Sequence, residues 1–554
     1  MKAWQTTYAL SFTMLFLSML VQAQNRSFGT LPLVRGADEP RVITQGDLNN
    51  SDEYQHVLKI YNKLVETRGD FRYRVPELYL RDVEGMVASI NYDTYDITLE
   101  KKAYDVCKEI GDHAIAFLLA HELTHYYEKH AWRKAFIQDN RNLEITKRLN
   151  AIHDDVVHET EADMLGGFLA YAAGYGLFED ADSVITRLYR AYEFPDTLEL
   201  YPVKSERIEI ANRSGKEMKL LANVFDVANL MIGVDKHEEA YAYYEYISNN
   251  FQSPDIYNNI GVLGVINAMK LFDEEDIKFK YVTSLDLDFE GSKDATRDIP
   301  AEIEEGLNQA ITQFNAAISM NPNYVPAYLN KANAYALKRD WVRADFFLNQ
   351  EAKTKAMQDT AKYKKILQDI KVLNGIMAYE QGDSIKARTI FEEAKAEGSQ
   401  IASENLRILD GGKYNRNPTS ITENSTEAID NLTINQLWGR NSRIDNKKTV
   451  SVNSKYLLMQ RLTPNGQGHG FIHRNLETRM LIAFIATRDS YEGSTEAGIK
   501  LGSLEEEVVG AYGEPVLRRE TTQGQMMIYD NITFIIKDNK VVKWVIYGRK
   551  KSLF

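Results

Sequence analysis

Between about Glu217 and Leu409 small and aromatic residues recur at fixed offsets, and that recurrence restricts the possible folds more than any other feature of the chain. The clearest unit carries Ala310, Phe314, Ala317 and Pro322, and the next carries Ala332, Tyr335 and Ala344. Ala310 and Ala344 are 34 residues apart. Gly375, Ala378, Gly382, Ala387, Phe391 and Ala394 stand at the matching offsets of a further unit, and Ala228, Ala240 and Tyr244 mark a weaker, earlier one. Small residues let two helices approach closely, and an aromatic ring fills the space beside them. One such helix pair cannot bury its apolar face alone, so neighbouring pairs must stack. About four units fit, and the spacing breaks after Leu271 and after Lys353.

The offsets resemble tetratricopeptide repeats, which implies an α-solenoid over residues 216–409 with a concave surface able to hold a polypeptide. A generic bundle of helical hairpins is the plainer alternative. The insertion Asp273–Pro300 is acidic, and Asp286, Asp288, Glu290 and Gly291 open a calcium-type loop. Its twelfth position is Arg297 where a bidentate Glu is required, so calcium is excluded and a solvated acidic loop is expected. Residues 410–431 are polar and turn-rich and read as a linker. Beyond it, residues 432–554 hold short β-type runs, Met526–Lys537 and Val541–Tyr547, joined at Asp538-Asn539. Gly498–Pro515 precedes them as strand, helix and turn. This small C-terminal α/β module weakly resembles exported modules of the outer-membrane assembly lipoprotein and lactamase-inhibitor type.

At 554 residues the chain holds several domains, so the solenoid is one part of it. A single cysteine, Cys107, excludes an internal disulfide framework, a Cys-rich zinc module and an iron–sulfur cluster. Any metal must therefore use His and carboxylates. Lys+Arg 66 against Asp+Glu 79 leaves −13, which argues against a nucleic-acid partner. Residues 1–23 read as a signal peptide: Lys2, the apolar stretch Ala9–Val21, then Val21-Gln22-Ala23 with cleavage after Ala23. An uncleaved anchor is the alternative. No later stretch is long and charge-free enough to span a membrane, so an exported, periplasmic or secreted chain without an integral membrane segment is expected.

His121-Glu122-Leu123-Thr124-His125 lies inside a helical stretch, His113–Trp132. On a helix His121 and His125 are one turn apart on one face, so both imidazoles can bind one Zn²⁺, with Glu122 beside them to reach a water on the metal. A catalytic zinc needs a third protein ligand and an open position. A second helix, about Ile145–Ala173, offers Glu159-Thr160-Glu161-Ala162-Asp163, and its end is marked by Gly174 and Gly176. Glu159 and Asp163 share one face, so Glu159 can complete the site while Asp163 orients a ligand imidazole. A solvated acidic face is the alternative for that helix taken alone.

These two motifs resemble the zinc endopeptidases that include HtpX and the type-1 CAAX prenyl proteases, over roughly residues 50–215. The closest architecture is the exported form with a tetratricopeptide tail, typified by the bacterial beta-barrel assembly-enhancing protease. The resemblance implies a gluzincin-type helical metallopeptidase domain at residues 24–215 in a mostly α (α+β) chain, with one Zn²⁺. It implies His121, His125 and Glu159 as ligands, Glu122 as general base, and Asp163 behind the ligands. The family's His-Pro pair with a following Arg is Tyr201-Pro202 with Arg207 here, so Arg207 keeps its supporting place and the histidine is lost. Tyr201 either donates a hydrogen bond to a developing oxyanion or packs.

Other residues carry less. Gly466, Gly468 and Gly470 make a helix through His469 and His473 improbable. His130, His153 and His158 either line the cleft or lie at the surface, Cys107 reads as a buried thiol, and Ala88–Leu99 offers an edge strand to substrate. The expected function is an exported zinc endopeptidase acting on polypeptides, unfolded or envelope proteins among them, in quality control or processing. The alternative is a repeat-based binding or chaperone-like protein whose zinc is structural or occluded.

Overall fold

The computed structural model describes residues 48–130, 154–176, 181–196, 203–272, 277–282, 300–412, 426–438, 444–463, 465–521 and 524–551. The signal segment, His153, Tyr201, Pro202, the calcium-like loop and the middle of the linker lie outside the described residues. The chain forms two compact units: Met1–Val65, Phe71–Gly167 and Phe178–Gly215 in the first, Glu66–Asp70, Phe168–Leu177 and Lys216–Phe554 in the second. It is mostly helical with a C-terminal antiparallel sheet. Among the described residues no helix is long and apolar enough to cross a membrane.

The first unit opens with α1 (Asp52–Arg68) and a three-stranded sheet of β1 (Glu77–Arg81), β2 (Ala88–Asn91) and β3 (Asp96–Glu100). Its order is β1-β3-β2, with β1 parallel and β2 antiparallel to β3. The alternation through Gly85–Ala103 is thus a hairpin whose turn is closed by Asn91 Oδ1, which accepts from the backbone of Asp93 and Thr94. Only Ala88–Asn91 of the expected edge strand is at the edge, because Asp96–Leu99 is paired on both sides. Then come α2 (Lys101–Lys108), α3 (Asp112–Tyr127), α4 (Asp154–Ala170), α5 (Ala181–Ala191) and α6 (Lys204–Gly233), with α4 beyond Gly167 and α6 beyond Gly215 counted in the second unit. Helix α3 stops at Tyr127, because Lys129 turns left-handed at φ 58, and the expected end at Trp132 lies outside the described residues. Helix α4 runs into a π turn, Tyr171–Tyr175, and Gly174 and Gly176 leave it at φ 83 and 82. Cys107 is fully buried, and burial pushes its thiol up to about 12, so it keeps its proton.

In the second unit the paired helices are α7 (His237–Ser248) with α8 (Pro254–Met269), α9 (Ala301–Met320), α10 (Val325–Leu337), a broken helix from α11 (Trp341–Asp345) to Ala356, α12 (Lys364–Glu380), α13 (Ser384–Ala396) and α14 (Gln400–Leu409). The offsets read in the sequence are packing positions. A Cβ on Gly261 would meet the Phe314 ring at 2.5 Å, and one on Gly375 would meet Phe391 at 2.5 Å, so two pairs share one glycine-on-phenylalanine contact. Asp340 and Asp383 cap the second helices of two pairs through Arg343 N and Lys386 N.

The insertion after α8 is not wholly a solvated loop. Phe279, Tyr281 and Val282 are buried, because Ile277–Val282 alternates apolar and basic residues between its acidic flanks. The linker also ends early: Ala428–Ile429 (β4) pairs with Leu432–Thr433 (β5) through the left-handed turn Asp430-Asn431, and Ile429 is fully buried. The C-terminal part has more strands than the runs read in the sequence, with an eight-stranded antiparallel sheet and two short helices, α15 (Ile434–Leu437) and α16 (Glu505–Tyr512). Its strands are β6 (Ile444–Val452), β7 (Tyr456–Leu462), β8 (Gly468–Asn475), β9 (Met480–Thr487), β10 (Leu517–Thr521), β11 (Gly524–Tyr529), β12 (Ile532–Lys537) and β13 (Lys540–Lys551). Met526–Lys537 is two strands, because Asn531 takes φ 65 and reverses the chain. The strand expected after Gly498 is reduced to an isolated bridge, since Gly498 and Gly502 turn the chain at φ 86 and 87.

Candidate metal centre

Helix α3 is apolar nearly all round: Ala114, Ile115, Ala116, Leu119, Ala120 and Leu123 have no exposed surface. Such a helix belongs inside a core, and the polar His121 and His125 are then costly unless something answers them. Helix α4 supplies the answer. A Cβ on Gly166 would stand 2.8 Å from His121 N and 2.9 Å from Ala120 O, so the absence of a side chain there lets the two backbones approach. The rigid pairing sets Glu159 and Asp163 against the histidine face.

His121 Nε2 and His125 Nε2 are 3.0 Å apart, and the Glu159 carboxylate reaches them at 3.6 and 3.4 Å. One ligand atom from each of the three lies within 4.8 Å of the others, and among the described residues no other group of this kind occurs. On the far side His121 Nδ1 meets Asp163 Oδ1 at 2.9 Å. Arg207 of α6 grips both Asp163 oxygens, one at 2.8 Å, and its Nε is 3.5 Å from Glu159. Burial disfavours charge on Glu159, yet His125, His121 and Arg207 hold its carboxyl well below the usual range. Asp163 is likewise held down, by Arg207 and His121 against burial. Burial also opposes a charged His121, but Asp163, Glu159 and Glu122 outweigh it and raise its pKa.

A cleft of about 300 Å³ opens on this cluster, lined by Val87, Ala88, Phe117, His121, Glu122, Glu159, Ile185, Leu188, Tyr189, Phe194 and Arg207. The edge strand β2 thus begins at the cleft wall. Of the residues singled out in the sequence, the structure brings together His121, His125, Glu122, Glu159, Asp163 and Arg207. Tyr201 lies outside the described residues.

Two participants escaped the sequence reading, Gly166 and Tyr189, and His130, which the sequence left between cleft and surface, stands at the cluster. His130 Nδ1 is 2.8 Å from His125 Nδ1, its Nε2 is 3.3 Å from Glu161, and its ring stacks on His158 at 4.4 Å. In an unbroken helix His130 would lie about 140° away from His125. The left-handed Lys129 brings it back, and nothing in the residue pattern announces that break. Gly166 was hidden as one glycine of a Gly166-Gly167 pair. Tyr189, whose burial beside the cleft raises its phenol, had only a helical apolar spacing to mark it.

No family model matches the chain. Tetratricopeptide repeat protein 36 of Xenopus tropicalis is 30% identical over 119 residues, 21% of this chain and 56% of that protein, so the chain spans about half the length of the curated relative it matches. Among solved structures, human IFIT1 as a dimer with PPP-AAAA has 12% identity and a TM-score of 0.28, over 56% of this chain and 75% of that one. An IFIT1 monomeric mutant with m7Gppp-AAAA has 10% identity and the same TM-score of 0.28, over 55% and 65%. A likeness at that score carries no argument about this chain. With the paired helices and the curated relative together, the chain carries tetratricopeptide repeats.

Proposed function

We propose that the first unit is a zinc endopeptidase site and that the repeats bind polypeptide. The observation that carries the reading is the convergence of His121, His125 and Glu159 within 4.8 Å, with Asp163 behind His121. Two imidazoles and one carboxylate are the ligand set of a hydrolytic zinc, and they leave a coordination position open. A zinc ion bound there supplies Lewis acidity toward a peptide carbonyl and lowers the pKa of a water.

The chain's own residues do the rest. Glu122, on the cleft wall beside His121, takes the proton of the attacking water and returns it to the leaving amine. Asp163 fixes the His121 ring through Nδ1, and Arg207 keeps Asp163 and Glu159 ionised. The free edge of β2 pairs with an extended substrate, and Phe117, Ile185, Leu188 and Phe194 receive an apolar side chain. With a signal peptide, the site would act on envelope or secreted polypeptides, as in the exported zinc endopeptidases it resembles.

The second reading is a repeat-based binding or chaperone-like protein with a structural zinc. The comparisons favour this one, since the curated relative is a repeat protein and nothing in them points to a peptidase. Metal analysis with an unbiased peptide-library digest separates the two. The peptidase reading expects about one zinc per chain and cleavage that disappears in Glu122→Gln. Zinc without any cleavage leaves the binding reading, and cleavage unchanged in Glu122→Gln ends the proposed mechanism.

A further inference from the structure

Residues Lys278–Val282 belong to no helix or strand, yet they are held among the first helices of successive repeat pairs. The side chain of Asn405 on α14, fully buried, reads both main-chain groups of Lys280: its Oδ1 accepts from Lys280 N at 2.8 Å and its Nδ2 donates to Lys280 O at 3.0 Å. Asn333 on α10 donates to Val282 O at 2.8 Å. Phe279, 3% exposed, packs edge-on to Tyr379 of α12 at 4.7 Å and against Phe391 at 5.6 Å. Lys278 Nζ donates to the Tyr379 hydroxyl at 2.6 Å and lies 4.5 Å above its ring.

A core segment satisfies its backbone in a helix or a ladder. This one satisfies it on side-chain amides, the kind of contact any extended polypeptide offers regardless of its own sequence. We propose that Lys278–Val282 is a tethered ligand on the face of α10, α12 and α14. The same face takes, in its place, an extended polypeptide in which aromatic residues alternate with basic ones, as in Lys278-Phe279-Lys280-Tyr281. The inference rests on reading the repeats as a binding module. A short tether holds its ligand at an effective concentration on the order of millimolar, so an outside segment competes at a disadvantage until the strap leaves.

The test uses the full chain and a fluorescein-labelled peptide with the sequence of Ile277–Thr283, read by anisotropy. Phe279→Ala with Lys280→Pro removes the ring and the N–H that hold the strap. That variant should bind the peptide at least about 10-fold more tightly than the parent chain, and adding Asn405→Ala should remove the gain. Equal binding by parent and variant overturns the strap as a competitor and leaves the binding module intact. If the variant binds a reduced, carboxymethylated polypeptide but not this peptide, the proposed ligand chemistry is wrong. If it is folded by circular dichroism and binds neither, the binding-module reading fails with it. Should the variant not fold, hydrogen exchange on the parent chain decides. Excess peptide must speed exchange at the Lys280 amide, and unchanged protection overturns the proposal.

Discussion

Two pairs of histidines four residues apart occur in this chain, His121 with His125 on helix α3 and His469 with His473 on strand β8, and the two regions use the same spacing to opposite ends. On the helix four residues rise about 6 Å and nearly complete a turn, so the two Nε2 atoms converge to 3.0 Å. On the strand four residues keep one face but span roughly 13 Å, and no common ligand can bridge them. The surroundings differ as much as the spacing. His121 faces Asp163, Glu159 and Glu122, which raise its pKa against burial. His473 is fully buried against the Tyr243 and Tyr456 rings, with Tyr243 O–H at 2.8 Å, and burial, aided by Lys236, lowers it to about 3. Burial of a histidine therefore does not mark a site. The carboxylates facing it do.

Replacing His121, His125 or Glu159 with Ala should strip zinc and reduce cleavage to background, whereas His469→Ala and His473→Ala should leave metal content as in the parent chain. Metal analysis of the five variants would break the comparison if the strand pair also proved necessary. Glu122→Gln should keep the metal and lower turnover by roughly 10² to 10⁴, measured on a peptide the parent cleaves.

Below the ligands the expected effects shrink. Gly166→Ala inserts a Cβ 2.8 Å from His121 N, against backbone that cannot swing aside. It should destabilise the first unit by about 1 to 3 kcal/mol and loosen zinc with it, both readable in a melting curve with and without metal. The control is Gly215→Ala, where a Cβ meets nothing within 4 Å and a near-neutral result is expected. His130→Phe keeps a ring over His158 but removes the atom that faces His125 Nδ1, so zinc affinity should fall about 10- to 100-fold in a competition titration with a chelator. Parent-like affinity would show that His125 needs no partner behind it.

What the sequence made legible follows from this contrast. The cluster of His121, His125 and Glu159 was readable because helical spacing converts directly into a shared face, and the repeats because small residues such as Ala310 and Ala344 recur 34 residues apart. For His130 the sequence left cleft and surface both open, since its approach depends on one left-handed residue, Lys129, whose φ of 58 no residue type dictates. Gly166 was not readable, since a glycine needed for close approach looks in sequence like any other. The strap was hidden by the acidic average of its insertion, although Ile277–Val282 carries no acid. Strands β6 to β9 were missed although Asn465-Gly466 stands as a hairpin turn between β7 and β8, because the glycines there were weighed only against a helix through His469 and His473.

The smallest effect concerns the strand histidine alone. In the unfolded chain His473 titrates near 6.5, and in the native chain burial moves it to about 3, so between those values the unfolded state binds the extra proton. Its contribution is whole above about pH 6.5 and is lost as pH falls toward 3, with a slope approaching about 1.4 kcal/mol per pH unit. His473→Gln does not titrate and retains an acceptor for the Tyr243 hydroxyl, which is 2.8 Å from Nδ1 in the native chain. Denaturant titrations between pH 7 and pH 4 should therefore give a flatter stability curve for the variant, by roughly 1 kcal/mol per unit, even if the variant is the less stable protein at pH 7. His121 cannot imitate this result, because a residue whose native pKa is raised loses stability in the other direction, as pH rises through the native value. Glu159 and Asp163, held low, lose stability at falling pH equally in parent and variant. Parallel curves for parent and variant would mean that a proton reaches His473 in the folded state, and the packing between Tyr243 and Tyr456 would then be looser than the buried geometry allows.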